Sequence, residues 1–303
     1  LPRKDKKVFI EFESTYMSVS IAHLGPAGTY AEAAALAYAN RLAKETGNHA
    51  LLCPYPSIAQ TLHAVAQRQV DLVVVPVENS IEGGVAVTVD TLWQLDTLQI
   101  QQALVLPIRH ALLSRASNLE AIQTVYSHPQ GLAQCQGWLE KFLPSVQLIP
   151  TNSTTEALRY LDNDSTLAVI TSQRAAQLYN LPVLASGIND YPDNCTRFWV
   201  MSLHPSPGGT HTSLAFSLSA NVPGVLVKPL QVLATRGINM SRIESRPTKR
   251  SLGEYLFFID IEANAQEPAV QATLAELASY TEILKIFGSY RVVAIDSPEV
   301  CPA

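Results

Sequence analysis

At 303 residues, 47% hydrophobic and 16% charged, the chain has enough apolar side chains to bury more than one core, which excludes a disordered protein and predicts two domains. The formal charge of −5 comes with no basic stripe, only short clusters at 3–7 and 246–250, so nucleic acid is excluded as a partner. Cys53, Cys135, Cys195 and Cys301 form no metal-type pair and read as reduced thiols, and no run suits a membrane span or a secretory leader, so a cytoplasmic protein with no membrane partner is expected.

Residues 1–17 are set aside as an N-terminal extension. From 18 to 204, short apolar runs alternate with amphipathic helices, the pattern of an α/β domain with largely parallel strands. Ile21-Ala22-His23-Leu24 leads into Gly25-Pro26-Ala27-Gly28-Thr29-Tyr30 and an Ala-rich helix to about Arg41. A buried strand over 70–75 ends at Pro76-Val77-Glu78-Asn79-Ser80, and a strand over 103–108 is placed to cross between lobes. Thr124-Val125-Tyr126 ends at Ser127-His128-Pro129-Gln130, followed by a helix to about Lys141. The strand over 146–149 runs into Thr151-Asn152-Ser153-Thr154-Thr155-Glu156, where Ser153 and Glu156 have capping-box spacing. Another buried strand covers 167–171. Residues 187–194 are rich in turn formers, and Phe198-Trp199-Val200-Met201 starts a strand, so Thr196 and Arg197 stand at its mouth.

A linker over 205–210 separates a second pattern over 211–293, with 294–303 left as a tail. Strand 211–218, a helix from 221–224 to about Arg236, strands 238–246 and 254–261, a helix opened by Pro268 and a strand over 283–287 give the order βαββαβ of a ferredoxin-like sandwich.

The polar clusters of the first domain fall where strands meet helices or loops, the edge at which open α/β sheets bind ligands and helix N-termini favour anions. Each has an ordinary alternative. Gly25 to Gly28 lacks the Lys of a phosphate loop and the third Gly of a dinucleotide fingerprint, so it reads as a tight turn. Ser153 is equally explained as a helix cap and His128 as a hydrogen-bonding loop residue, and Arg197 suits a carboxylate or a surface ion pair. No histidine spacing predicts a metal.

Taken in order, these motifs resemble the prephenate dehydratase family from Ser18 to about Val293, and the second domain resembles that family's ACT module, with Asn221-Val222-Pro223-Gly224 and Glu244-Ser245-Arg246-Pro247 in the effector positions. The resemblance implies two α/β lobes like those of type II periplasmic binding proteins, with the active site between them. It implies loss of water and carbon dioxide from prephenate to give phenylpyruvate, no cofactor, and inhibition by phenylalanine bound at ACT interfaces of a homodimer or homotetramer. Thr196 carries over as the catalytic hydroxyl and Arg197 is the candidate anchor for the retained carboxylate. Thr29, Asn79, Ser80, His128, Gln130, Ser153, Thr154 and Phe198 are expected to line the cleft. Asn221, Pro223, Gly224, Val225, Leu226, Glu244, Ser245 and Arg246 are expected at the effector site.

Ala31 stands where a Ser commonly follows the Gly-Thr-aromatic turn, Gly131 where an Ala follows Ser-His-Pro-Gln, and Val225 where an Ala follows Pro-Gly. Pro229 should kink or delay the first ACT helix. Two other readings remain at this stage: an arogenate dehydratase, performing the same elimination on the transaminated substrate, and a two-lobed amino-acid sensor without turnover.

Overall fold

The computed structural model describes residues 18–153, 155–161 and 164–296. The first lobe opens with β1 (Val19–Leu24), α1 (Tyr30–Thr46), β2 (Ala50–Tyr55), α2 (Ile58–Ala66), β3 (Leu72–Asn79), the two-residue β4 (Gly83–Gly84) and α3 (Ala86–Gln94). After β5 (Gln99–Pro107) the chain crosses into a second lobe of β6 (His110–Ser114), β7 (Thr124–Ser127), α4 (Pro129–Ala133), α5 (Gln136–Phe142), β8 (Gln147–Pro150), β9 (Leu167–Ser172), α6 (Gln173–Leu178) and β10 (Val183–Ser186). It returns through 187–194 to β11 (Cys195–Ser202), which lies antiparallel between β3 and β5. These two crossings make the expected two-lobed α/β architecture.

The second domain follows as β12 (His211–Ser217), α7 (Val227–Thr235), β13 (Met240–Pro247), β14 (Tyr255–Ile261), α8 (Pro268–Ala278) and β15 (Ile283–Tyr290), an antiparallel sheet in the order β13-β14-β12-β15. The βαββαβ expectation holds. Pro229 delays the helix, which begins at Val227 and so places the proline in its first turn, where the missing N–H costs nothing. Beyond the sandwich, β16 (Val292–Ala294) pairs in parallel with β5 of the first lobe. Residues 292 and 293 were expected to end the second domain; they instead extend the first lobe's sheet, whose order is β16-β5-β11-β3-β1-β2 with β4 beside β3.

Side-chain alternation along β11 sorts its residues between two cores. Phe198 and Val200 pack under α1 with Ile21, Val74 and Leu104. Trp199 and Met201 face the other way, into a core that runs without interruption from α2 and α3 to Ala215, Phe258, Phe287 and Tyr290 of the second domain. The two domains are therefore joined by shared apolar packing as well as by the linker. Helices α7 and α8 cover the far face of the ACT-like sheet through Val232, Leu233, Leu274 and Leu277. Among the described residues no helix is long and apolar enough to cross a membrane.

Candidate active site between the lobes

A cleft of about 1080 Å³ opens between the lobes where β1, β3 and β7 end and β11 begins. Thr29, Asn79, His128, Gln130, Ser153, Thr196 and Phe198 all line it, although they are up to 169 positions apart in the chain (Thr29 to Phe198). Each is positioned by local chemistry. Thr29 caps α1, its Oγ1 accepting from Glu32 N at 3.3 Å. His128 caps α4 by accepting from Gln130 N on Nδ1 at 3.3 Å, which leaves its Nε2–H as a donor. Ser153 Oγ accepts from Glu156 N at 3.0 Å, while the return arm of the expected capping box reaches Asn152 N instead, at 3.0 Å.

Thr196 is 8% exposed, on the cleft face of β11 and directly opposite Asn79 of β3. Asn79 Nδ2 donates to Thr196 Oγ1 at 2.9 Å and to Asn194 Oδ1 at 2.8 Å, so the Thr196 oxygen is an acceptor and its own proton is left available to donate. The bonding continues inward. Asn194 Nδ2 donates to Gln134 Oε1 at 2.9 Å, and His110 Nε2 lies 2.9 Å from the same oxygen. His110 Nδ1 lies 3.0 Å from the Tyr30 hydroxyl. Burial pushes the His110 imidazole below its ordinary pKa, partly opposed by Gln134, and pushes the Tyr30 phenol well up. Burial also lowers His128.

Two of the expected residues do not join this group, and a third is not described. Ser80 lies behind the cleft, its Oγ accepting from Cys195 N at 3.0 Å, and Thr154 lies outside the described residues. Arg197 was expected to anchor a substrate carboxylate, but it does not line the cleft. Being one residue from Thr196 on an extended strand, it projects from the opposite face, where its Nη1 is 3.1 Å from Asp260 Oδ2 and its Nη2 is 3.5 Å from Glu78 Oε2. No Lys or Arg is among the described residues lining the cleft.

Sequence reasoning did not single out Tyr30, His110, Gln134 or Glu82 for the site. Gln134 had a usable signal, standing four residues after Gln130 and so one helical turn on; His110 had only its place at a strand start. Ala31 and Gly131, two of the four noted departures, both line the cleft.

On the second domain, Asn221, Pro223 and Gly224 form an exposed turn with Val225 and Leu226 half-buried beneath it, and Ser245 is exposed. Glu244 and Arg246 are already engaged within the chain. Arg242 Nη2 donates to Glu244 Oε2 at 2.6 Å, and Arg246 makes two bonds to Asp90 of α3, at 2.9 and 3.1 Å.

Two α/β lobes around a polar, hydroxyl-bearing cleft, fused to a βαββαβ sandwich, define a two-lobed enzyme with an ACT-type module. Residues 21–206 match the model of the prephenate dehydratase family and residues 212–279 that of the ACT domain. The chain belongs to the prephenate dehydratase family. It is 40% identical over 275 residues to a bifunctional chorismate mutase/prephenate dehydratase of Aquifex aeolicus, covering 90% of this chain and 73% of that one. Among solved structures it is similar to a prephenate dehydratase from Arthrobacter aurescens in complex with L-Phe, with 32% identity, a TM-score of 0.78 and 90% of each chain covered. It is also similar to GqqA, described as a novel type of quorum quenching acylase, with 28% identity, a TM-score of 0.73 and coverage of 90% and 98%.

Proposed function

We propose that the cleft performs the decarboxylative dehydration of prephenate to phenylpyruvate, with Thr196 as the catalytic hydroxyl. The observation that carries this is the Asn79-to-Thr196 bond of 2.9 Å, which presents the hydroxyl proton to a ligand. In the reaction the bond to one carboxylate breaks to release carbon dioxide, its electron pair enters the ring, and the C–O bond to the ring hydroxyl breaks, the oxygen leaving as hydroxide that takes a proton from solvent to become water. Thr196 donates to that departing oxygen as negative charge builds on it. A threonine hydroxyl is too weak an acid to surrender its proton outright, so its contribution is hydrogen-bond stabilisation.

With no Lys or Arg among the described residues lining the cleft, a dianionic substrate is held by N–H and O–H donors. The first-turn N–H groups of α1, the His128 Nε2–H and the Ser153 hydroxyl supply them, helped by the positive end of the α1 dipole. The carboxylate that leaves is best placed against Pro76, Val85 and Phe198, where poor solvation favours its loss as neutral carbon dioxide.

Phenylalanine is the effector in this reading, supported by the ACT match and by the L-Phe complex of the Arthrobacter relative. The turn 221–226, exposed over 221–224, is its site. The free edge of β13, with Ile243 exposed, joins a second copy into a dimer or tetramer. The test is incubation with prephenate and, separately, arogenate, with and without phenylalanine. Phenylpyruvate formation from prephenate, reduced by phenylalanine, is expected. Turnover of arogenate alone would transfer the protein to the sister activity, and no turnover of either would leave a sensor.

A further inference from the structure

Arg197 stands next to the catalytic hydroxyl, yet its guanidinium belongs to a buried cluster contributed mostly by the ACT module. Asp260 of β14, with 1% of its side chain exposed, is the centre. Its Oδ2 faces Arg197 Nη1 at 3.1 Å and Arg242 Nη1 at 3.5 Å, and its Oδ1 accepts from Ser213 Oγ at 2.5 Å. Ser213 Oγ in turn lies 2.6 Å from the Tyr290 hydroxyl. Glu78 closes the cluster from the catalytic side.

The strand register gives this cluster its leverage. Arg197 pairs with Glu78 in the rung beside the Thr196–Asn79 rung, and Glu78 pairs on its other side with Gly84. Asp260 holds the first of these three neighbouring strands. Glu244 covers the third, its carboxylate occupying the space a side chain on Gly84 would need. Gly83 and Gly84 line the cleft, as do Asn79 and Thr196. The ACT sheet therefore grips β11, β3 and β4 just behind the reacting groups, through charges that are desolvated and mutually dependent.

We propose that Asp260 is a positioning residue for the elimination: acting through Arg197, it fixes the rung that presents Thr196 and Asn79, and a shift of the ACT sheet reaches the hydroxyl by this joint. The regulatory half rests on the phenylalanine reading above; the positioning half does not.

Asp260→Asn, which keeps the shape and removes the charge, is the probe, read by kcat and KM for prephenate on the folded enzyme. Misplacing a reacting group by about 1 Å can cost about 10²-fold in rate, so a partial shift should lower kcat by about tenfold with KM within about twofold. The Asp260→Asn and Arg197→Met effects on kcat should be non-additive, since both cut the same joint. Structural glue alone would lower the melting temperature and leave kcat within about twofold, which would overturn the proposal. So would a rise in KM confined to Arg197→Met, the mark of a substrate anchor. If Asp260→Asn does not fold, Arg197→Met, which leaves Asp260 paired with Arg242 and Ser213, decides by the same kcat criterion. Calorimetric titration of phenylalanine separates the two readings. If the wild type does not bind it, the effector reading fails and kcat still judges Asp260; if it binds both proteins equally, Asp260→Asn should lose the inhibition, and undiminished inhibition would refute the joint.

Discussion

The Asn79 carboxamide donates to the Thr196 hydroxyl across the β3–β11 rung at 2.9 Å, and Asn79 is itself fixed by Ile81 N and Glu82 N, each donating to its Oδ1 at 3.0 Å. With its oxygen already accepting, Thr196 has one free proton and one direction in which to offer it. Thr196→Ala should lower kcat by about 10²–10⁴, the range for losing a positioned proton-transfer or hydrogen-bonding group, with the melting temperature unchanged within a few degrees. Thr196→Ser, which keeps the hydroxyl but frees its rotor, should lose far less. Steady-state kinetics decide the matter, and near-normal turnover of the Ala variant would remove Thr196 from the mechanism.

Glu32 of α1 and Arg174 of α6 pair across the lobes with two bonds, at 2.9 and 3.0 Å, and their side chains are only 10% and 9% exposed. Burial works against the Glu32 charge, but the Arg174 guanidinium and the Gly28 N–H hold its carboxyl below the usual range. Removing one partner strands the other, so Arg174→Met should cost about 3–5 kcal/mol in urea unfolding. Glu32→Gln combined with Arg174→Met should cost less than Arg174→Met alone. A double variant as unstable as the sum of the singles would show that the two residues do not act as a pair.

Much of this site could be read from the chain because strand ends announce themselves. Apolar runs stopping at Leu24, Asn79 and Ser127 put polar residues at the facing edges of the two lobes' sheets, while placing Thr196 and Arg197 together at a strand mouth overlooked that period-two alternation turns them to opposite faces. What alternation does not say is which face meets substrate. That depended on where the second domain docks, a long-range packing fact, and it moved Arg197 out of the cleft. His110 and Asn194 were illegible for a related reason: their bonds to Gln134 join positions 24 and 60 residues apart and leave no local periodicity. The three-residue β16 is too short to carry a pattern, and β2, with Pro54 inside it and Leu51 exposed, reads as a poor strand until β1 is laid beside it.

Two buried histidines, His23 and His110, and the half-buried His128 set the acid side of the stability curve. Burial lowers His110, His128 and His23 below the ordinary 6.5, so each is neutral when folded and takes up a proton more readily when unfolded. Where the unfolded chain binds more protons, stability rises with pH. Their contribution is thus complete above pH 6.5 and is lost as pH falls from there through the lowered folded-state values. Glu32, with its lowered carboxyl, adds a second loss at more acid pH, below its ordinary 4.5. Melting temperatures should be flat from about pH 7 to 8 and fall below about 6.5, less steeply in His110→Gln. A melting temperature that climbs between pH 7 and 5.5 would contradict this assignment.

Gly28 stands beside the cleft, where the first lobe meets the second. Its φ of +86° lies in the left-handed region, and an added Cβ would stand 3.1 Å from Thr155 Cγ2, 3.2 Å from Ala175 Cβ and 3.3 Å from a Tyr179 ring carbon, all on the second lobe. Its carbonyl accepts from Ser172 Oγ at 2.7 Å, so the loop cannot retreat without losing that bond. Gly28→Ala therefore meets two costs, about 1–2 kcal/mol for the left-handed conformation and about 1–3 kcal/mol for crowding. Since the crowding acts between lobes and beside Thr29, relief comes by parting them, which opens the cleft. We expect KM for prephenate to rise by about tenfold or more, with a smaller change in kcat because Thr196 and Asn79 lie on other strands. Loss of stability with KM unchanged would mean that the loop yields locally and that the lobes do not meet through Gly28.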